Sequence, residues 1–329
     1  RWGKTPYCRW AGEMIFDGRT AVLSDGVEMS ATLIRGDEVW ELELSGDRLQ
    51  AELAGSVSVD DMKAMRKAVV NRITLMQSET LPVIVQAIHR GLDGVMEARH
   101  ILNAKMLTLQ PQQGGLLSGD GPGWYRGWVA EKADQPLLTR NVNASEKIDL
   151  NQRAITGAHL VFYGEMQAAF DGKQLEFTRG VRIGVKPTEN WESTFDARKM
   201  DAISSGESTL DCDRLRFNLE PEMVQASQIA GLSSRWEMSA VDGVIFRTRN
   251  DQGLLEGSAS RATYSSAKDL FTVEGAPNAP AIFRQTLPDG SAGPEGAVRS
   301  MTIRPGTMKV ENAIIERLNI ATPGIGGNR

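Results

Sequence analysis

Two carboxylates at short spacing, Asp211 and Asp213, are the first place to look for chemistry, because glycoside hydrolysis works with such a pair. Two residues apart on a strand they would point to one face, and Leu215, Phe217 and Leu219 share that parity. The triplet Asp213-Arg214-Leu215 recurs at Asp47-Arg48-Leu49, where Gly46 and Ser45 stand in place of a first acid. A turn followed by a strand explains both copies; catalysis explains neither. His89, His100 and His159 have no HxH or HExxH spacing, so they read as solvated or satisfied side chains rather than zinc ligands. No GxSxG elbow occurs. The glycine-rich stretch 114–123 lacks the lysine and the strand–loop–helix setting of a phosphate loop. Trp124, Tyr125 and Trp128 cluster after that stretch; a sugar site would need them exposed over a cleft, and packing against a loop is the simpler reading. The expectation is no catalytic residue, no metal and no cofactor: not an enzyme.

Composition bounds the remaining classes. The 329 residues suffice for two β domains of ordinary size. Net charge is -5 and no cluster of five or more Lys/Arg occurs, which leaves no basic stripe for nucleic acid. No run approaches the ~20 apolar residues of a membrane helix. The chain starts at Arg1 rather than Met, which reads as a segment or a processed product, so a leader or anchor is not testable from it. Cys8 and Cys212 lie far apart; a disulfide and two buried thiols both remain open.

The elements that would position an interior are short and numerous. Residues 13–16, 20–23 and 27–34 are separated by Asp17-Gly18 and Asp25-Gly26, the strongest short hairpin cue. Trp40, Leu42 and Leu44 alternate with Glu41 and Glu43, as do Leu49, Ala51 and Leu53 with their neighbours, so the sheet is apolar on one side only. Residues 60–76 break the pattern: Met62, Met65, Val69 and Ile73 fall at helical spacing behind Asp60 or Asp61, which predicts a helix covering a sheet edge or mouth. Residues 130–157 are polar and weakly periodic, a boundary near Gly157.

The second half repeats the first in order. Asp17-Gly18 matches Asp171-Gly172, Asp47-Arg48-Leu49 matches Asp213-Arg214-Leu215, Ala98-Arg99 matches Ser260-Arg261, and Gly121-Pro122 matches Ala276-Pro277. Four collinear anchors predict two copies of one β domain, over residues 12–157 and 158–320, with the stretch 254–283 the better-preserved copy of 95–122. One face of each curved sheet is then apolar: Phe177, Val181, Ile183, Leu215, Phe217, Val244, Phe246 and Val273, with Phe16, Val27, Leu42 and Leu49 as first-copy counterparts. Either these fill the closed core of a structural or adhesive β-sandwich, or the sheets stay parted and hold acyl chains at about 0.8 kcal/mol per buried CH₂.

Three runs carry a family resemblance. Phe16-Asp17-Gly18 is followed at Val27, Asp-Arg-Leu is followed by Leu53, and Tyr264, Leu270, Val273, Glu274, Gly275 and Pro277 keep their spacing up to Phe283. Together with residues 170–181 and 213–219, these resemble the OstA/LptA-like domain of lipopolysaccharide transport. The resemblance implies an all-β fold of two tandem antiparallel β-jellyrolls, each a folded-over pair of sheets with an apolar inside. It implies a periplasmic or cell-envelope location and lipopolysaccharide or a related glycolipid as cargo. It also implies other Lpt-type envelope proteins as partners, docked by end-to-end strand pairing. The helix at 60–76 and the linker at 130–157 depart from a minimal bridge domain and point to a larger envelope protein.

Overall fold

The computed structural model describes residues 2–35, 38–58, 60–65, 67–91, 93–112, 115–130, 154–169, 174–219 and 236–319. They are all-β: twenty-two strands stand beside one four-residue helix and one 3-10 turn. Contacts divide the described chain into two compact units. One holds residues up to 130, 154–181 and 188–195; the other holds 182–187 and 196–319. The boundary expected near Gly157 falls within a strand of the first unit.

The first unit begins with β1 (Trp2–Arg9), β2 (Met14–Phe16), β3 (Thr20–Leu23), β4 (Val27–Arg35), β5 (Glu38–Gly46) and β6 (Arg48–Leu53). After the helix α1 (Met62–Met65) come β7 (Val70–Met76), β8 (Val83–Gly91), β9 (Met96–Ala104), β10 (Met106–Gln110) and β11 (Leu116–Asp120). It ends with β12 (Gly123–Ala130), β13 (Ile155–Phe162), β14 (Glu165–Ala169) and β15 (Gln174–Thr188), whose residues 182–187 belong to the second unit.

These strands sort into two antiparallel ladders. One is β1–β4–β5–β8–β9–β12–β13. The other is β2–β3–β6–β7–β10–β11–β14–β15. The chain changes ladder between β1 and β2, at Asp25-Gly26, at Gly46-Asp47, between β7 and β8, at Lys105, at Gly121-Pro122 and at Tyr163-Gly164. Each successive long strand is thus folded over a common crease, and the order is that of a meander.

Local conformation explains where the crease falls. Asp25 and Gly26 take φ of 62° and 74°, and Arg179 and Gly180 take 62° and 60°. Two successive left-handed residues turn an extended chain sharply, and Asp and Gly reach that region most cheaply. The residue after each pair, Val27 and Val181, is fully buried. Sequence spacing thus places a turn pair and an apolar pin 154 residues apart, at positions 27 and 181.

The expected helix over 60–76 is corrected. Only Met62–Met65 is helical, with Asp61 Oδ1 accepting from the Lys63 and Ala64 amides at 3.1 and 2.9 Å. Residues 70–76 form β7 instead, paired with β6 on one side and β10 on the other. Val70, Ile73 and Thr74 are β-branched and stiff in a helix, and Leu75 fills a place in the buried face between two strands. Tertiary pairing overrode a helical spacing of which methionines supplied only half. The segment completes the sheet rather than covering its edge.

The second unit is built of longer strands. They are β16 (Ser208–Leu219), β17 (Trp236–Asn250), β18 (Gly253–Ser265), β19 (Leu270–Glu274), β20 (Ala281–Thr286), β21 (Ala292–Arg304) and β22 (Lys309–Asn319). Most run on across the crease as one strand, bent where the register shifts between Asp211 and Arg214 and between Val241 and Val244. Asp242 and Gly243, both at φ 64°, make the corner in β17, and Val244 behind them is fully buried. At residues 275–280 the crease separates β19 from β20, which pair with the two halves of β18.

That geometry corrects one anchor of the repeat. Met106 opens β10 opposite Asp120, and Arg261 opens the second half of β18 opposite Glu274. Arg261 therefore answers to Met106, not to Arg99, which lies on the other ladder in β9. The dipeptide likeness of Ala98-Arg99 to Ser260-Arg261 misled because both follow alternating strand residues.

Candidate functional site

The inner faces are built from rows of cross-strand neighbours. In the first unit one row reads Leu23, Leu49, Leu75, Leu107, Gly119, Met166 and Phe177, each directly opposite the next. All seven are buried. In the second unit Leu215, Ala240, Ala262, Val273 and Met301 form the equivalent row, at 0 to 2 % exposure. A neighbouring row there alternates Phe246, Gly257, Phe283 and Gly296. A Cβ on Gly257 would meet the Phe246 ring at 2.6 Å, so each ring lies over the glycine of the next strand.

Burial fades away from the crease on β4, β5, β8 and β9. Val27, Val83 and Ala104 are fully buried, whereas Met29, Leu44, Val85 and Leu102, one row outward, are only half-buried. Leu42 and Ala87, a row further, are half-buried too. These inward side chains keep accessible surface that Val27 lacks.

The anticipated site residues divide accordingly. Leu49 and Phe177 share one row five strands apart, Leu215 and Val273 another three strands apart, and Phe246 sits 5.4 Å ring to ring from Phe271. Val27, Val181 and Val244 are crease pins with no accessible surface. Phe16 on β2, Leu42, Ile183 and Phe217 are half-buried, and the Phe217 ring lies 6.0 Å from Trp236. Ile183 belongs to the second unit, Phe177 and Val181 to the first.

The register shift in β16 separates the suspected carboxylates from the interior. Leu210, Cys212 and Leu215 point inward, leaving Asp211 half-buried and Asp213 exposed, so Asp211 does not share a face with Leu215. Burial raises the Asp211 pKa, opposed by Arg182 at 3.7 Å and by Arg247. Cys8 and Cys212 are both free thiols. Burial, reinforced by Asp211 and Asp213, pushes Cys212 up to about 12, which keeps it protonated and inert. Among the described residues no group of three metal-binding side chains converges, and no helix is long and apolar enough to cross a membrane.

The aromatic and histidine side chains hold what the sequence reading missed. Trp40 on β5 stacks on His89 of β8 at 4.6 Å and lies 6.2 Å from His100 of β9. His100 Nδ1 is 2.7 Å from the Tyr125 hydroxyl, and Tyr125 leads to Phe177 at 6.5 Å and on to Phe162. The two histidines expected to stand apart thus flank one tryptophan. The signal was available: His89 keeps the parity of Val83, Val85 and Ala87, and His100 that of Ala104 and Leu102. Trp128 does pack under a loop, its Nε1 donating to the Ser193 carbonyl at 2.8 Å, while Arg99 lies over its ring.

A shallow cavity of 460 Å³ opens on β17, β18, β20, β21 and β22. The row Arg247, Glu256, Arg284 and Glu295 lines one side, and Ile245, Ser258 and Ile282 the other. Opposite charges face one another along the first row, with Arg284 bonded to Glu256. Comparison with protein-family models, with curated proteins and with solved structures finds no match to this chain.

Proposed function

We propose that the chain is a non-enzymatic lipid carrier of the cell envelope, made of two folded-over sheets of the OstA/LptA type. Its inner faces hold the acyl chains of lipopolysaccharide or a related glycolipid, in the periplasm. Its outermost strands pair end to end with further envelope proteins of the same transport system. The observation that carries the reading is the half-burial of inward apolar side chains beyond the crease, above all Leu42, Leu44, Val85 and Leu102. Held between parted sheets, a twelve-carbon chain would gain roughly 10 kcal/mol relative to water, about what a bilayer gives it, so the groove could exchange chains with a membrane at little net cost.

The resemblance in residues 16–27, 47–53 and 261–283 supports the class of cargo. The competing reading is a structural or adhesive sandwich, which the fully buried rows near the crease would equally serve. A photo-crosslinking amino acid at Leu42 or Phe217 separates the two. Cross-linking to co-purified or added lipopolysaccharide from these inward sites, and not from the outward Arg216 or Glu43, is the expected result. Capture only from the outward sites, or none from any site, would leave the closed sandwich standing.

A further inference from the structure

We propose that the inner face of the first unit carries a hydroxyl-recognition station, in which Trp40, His89, His100 and Tyr125 bind an uncharged, hydroxyl-bearing group of an amphiphile. The inference rests on the lipid-carrier reading and specifies what that groove selects. Register places these four side chains inward with Leu42, Ala87 and Leu102, and their rings form a continuous track from the half-buried rows toward Phe177. A hydrocarbon chain lies naturally along the apolar rows; a polar ring track beside it needs another purpose.

His89 shows what is missing. Its Nε2 is buried without a hydrogen-bond partner. The nearest carboxylates, Glu38 beside Nε2 and Glu97 beside Nδ1, are each 3.8 Å away, too far for a direct bond. With the exposed Glu38 side chain turned aside, a hydroxyl oxygen would reach Nε2 and a Glu38 oxygen at roughly 2.8 Å each, because one hydroxyl both donates and accepts. The flat face of Trp40 beside it offers the apolar contact that the C–H face of a sugar or a chain carbon takes.

Charge argues for a neutral group. An anion would lie against Glu38 and Glu97, and a quaternary ammonium could neither donate to nor accept from His89 Nε2. His100 adds no charge of its own: burial, with a contribution from His89, lowers its pKa from 6.5 to about 4. The hydroxyl can come from a sugar headgroup or from the chain itself, and the two sources are separable.

Calorimetry on the full chain with decyl glucoside, decanol, decyl sulfate and decyltrimethylammonium, each below its micelle concentration, tests the station. Decyl glucoside is expected to bind about 10-fold more tightly than either charged compound and to shift the ring resonances of His89 and His100. Trp40→Ala and His89→Phe should each weaken the glucoside by about 5- to 20-fold while moving decyl sulfate by less than about 2-fold. Tyr125→Phe, which keeps the ring and loses one hydroxyl, gives a variant that folds if the larger changes do not, and should weaken the glucoside by about 3-fold. Decanol matching the glucoside would confirm the station and assign the hydroxyl to the chain. Equal binding of all four compounds, or variants that leave the glucoside unmoved, would overturn the station alone. Binding of none would overturn the lipid-carrier reading with it.

Discussion

A histidine buried among rings is a debt the folded state carries at low pH. His100 sits between Trp40 and Tyr125, its Nδ1 at 2.7 Å from the Tyr125 hydroxyl, and its pKa falls from 6.5 to about 4 chiefly through loss of water, next through His89. The unfolded chain therefore takes up a proton between pH 6.5 and about 4 that the folded chain refuses. Stability is unaffected by this group above pH 6.5, falls as pH drops through that window, and levels off below it. Because the ring keeps some accessible surface although enclosed by side chains, the loss is set at roughly 2 kcal/mol rather than the full value of the shift. Urea unfolding of the parent and of His100→Phe at pH 7 and pH 4.5 checks this. The variant should lose about 2 kcal/mol less over that interval, and parallel losses in the two proteins would show that the imidazole is protonated without penalty.

Creases are the elements on which the fold turns, and they were legible unevenly. Asp25-Gly26 announced itself as a turn, and Asp242-Gly243 has the same composition, yet both bend a strand instead of closing a hairpin. The dipeptide specifies two left-handed residues, and only the pairing partners on either side decide what the bend joins. Alternation put Leu49, Phe177, Leu215 and Val273 in buried rows, because a period of two survives any pairing order. It failed at Asp211 and Asp213, where a register shift inserts a residue and changes parity, and no local signal marks that insertion. The helical spacing of residues 60–76 failed for the opposite reason: β7 is chosen by β6 and β10, far away in sequence. The crease itself can be measured. A Cβ on Gly243 would touch nothing within 4 Å, so Gly243→Ala isolates the cost of φ 64°, about 1–2 kcal/mol in thermal or urea unfolding. Gly55→Ala, equally open but without positive φ, should change stability by less than about 0.5 kcal/mol. Equal effects at the two sites would remove backbone conformation as the cause of the corner.

At the scale of the whole molecule, two creased meanders leave their outermost strands with one neighbour each among the described residues. β1 pairs only with β4, and β22 only with β21. β1 carries Pro6 at its middle, whereas β22 has no proline; β22 exposes Val310 at 51 %, Ile314 at 56 % and Ile315 at 50 %, and β1 exposes Tyr7 at 60 %. Rows that run unbroken across Leu215, Ala240, Ala262, Val273 and Met301 continue to Ala313 on β22, so a further strand added there would extend both the ladder and the apolar face. End-to-end pairing would thus serve two needs at once, covering an exposed edge and lengthening a path for hydrocarbon. Sedimentation velocity of the full chain across a range of concentrations should show growing association, and Ile314→Lys with Ile315→Lys should abolish it. Lysine on an exposed edge of this kind changes stability by less than about 0.5 kcal/mol, so the melting temperature should hold while association is lost. A variant that associates as the parent does would mean that β22 is not the surface that pairs, and the edge formed by β1 would be the one to change next.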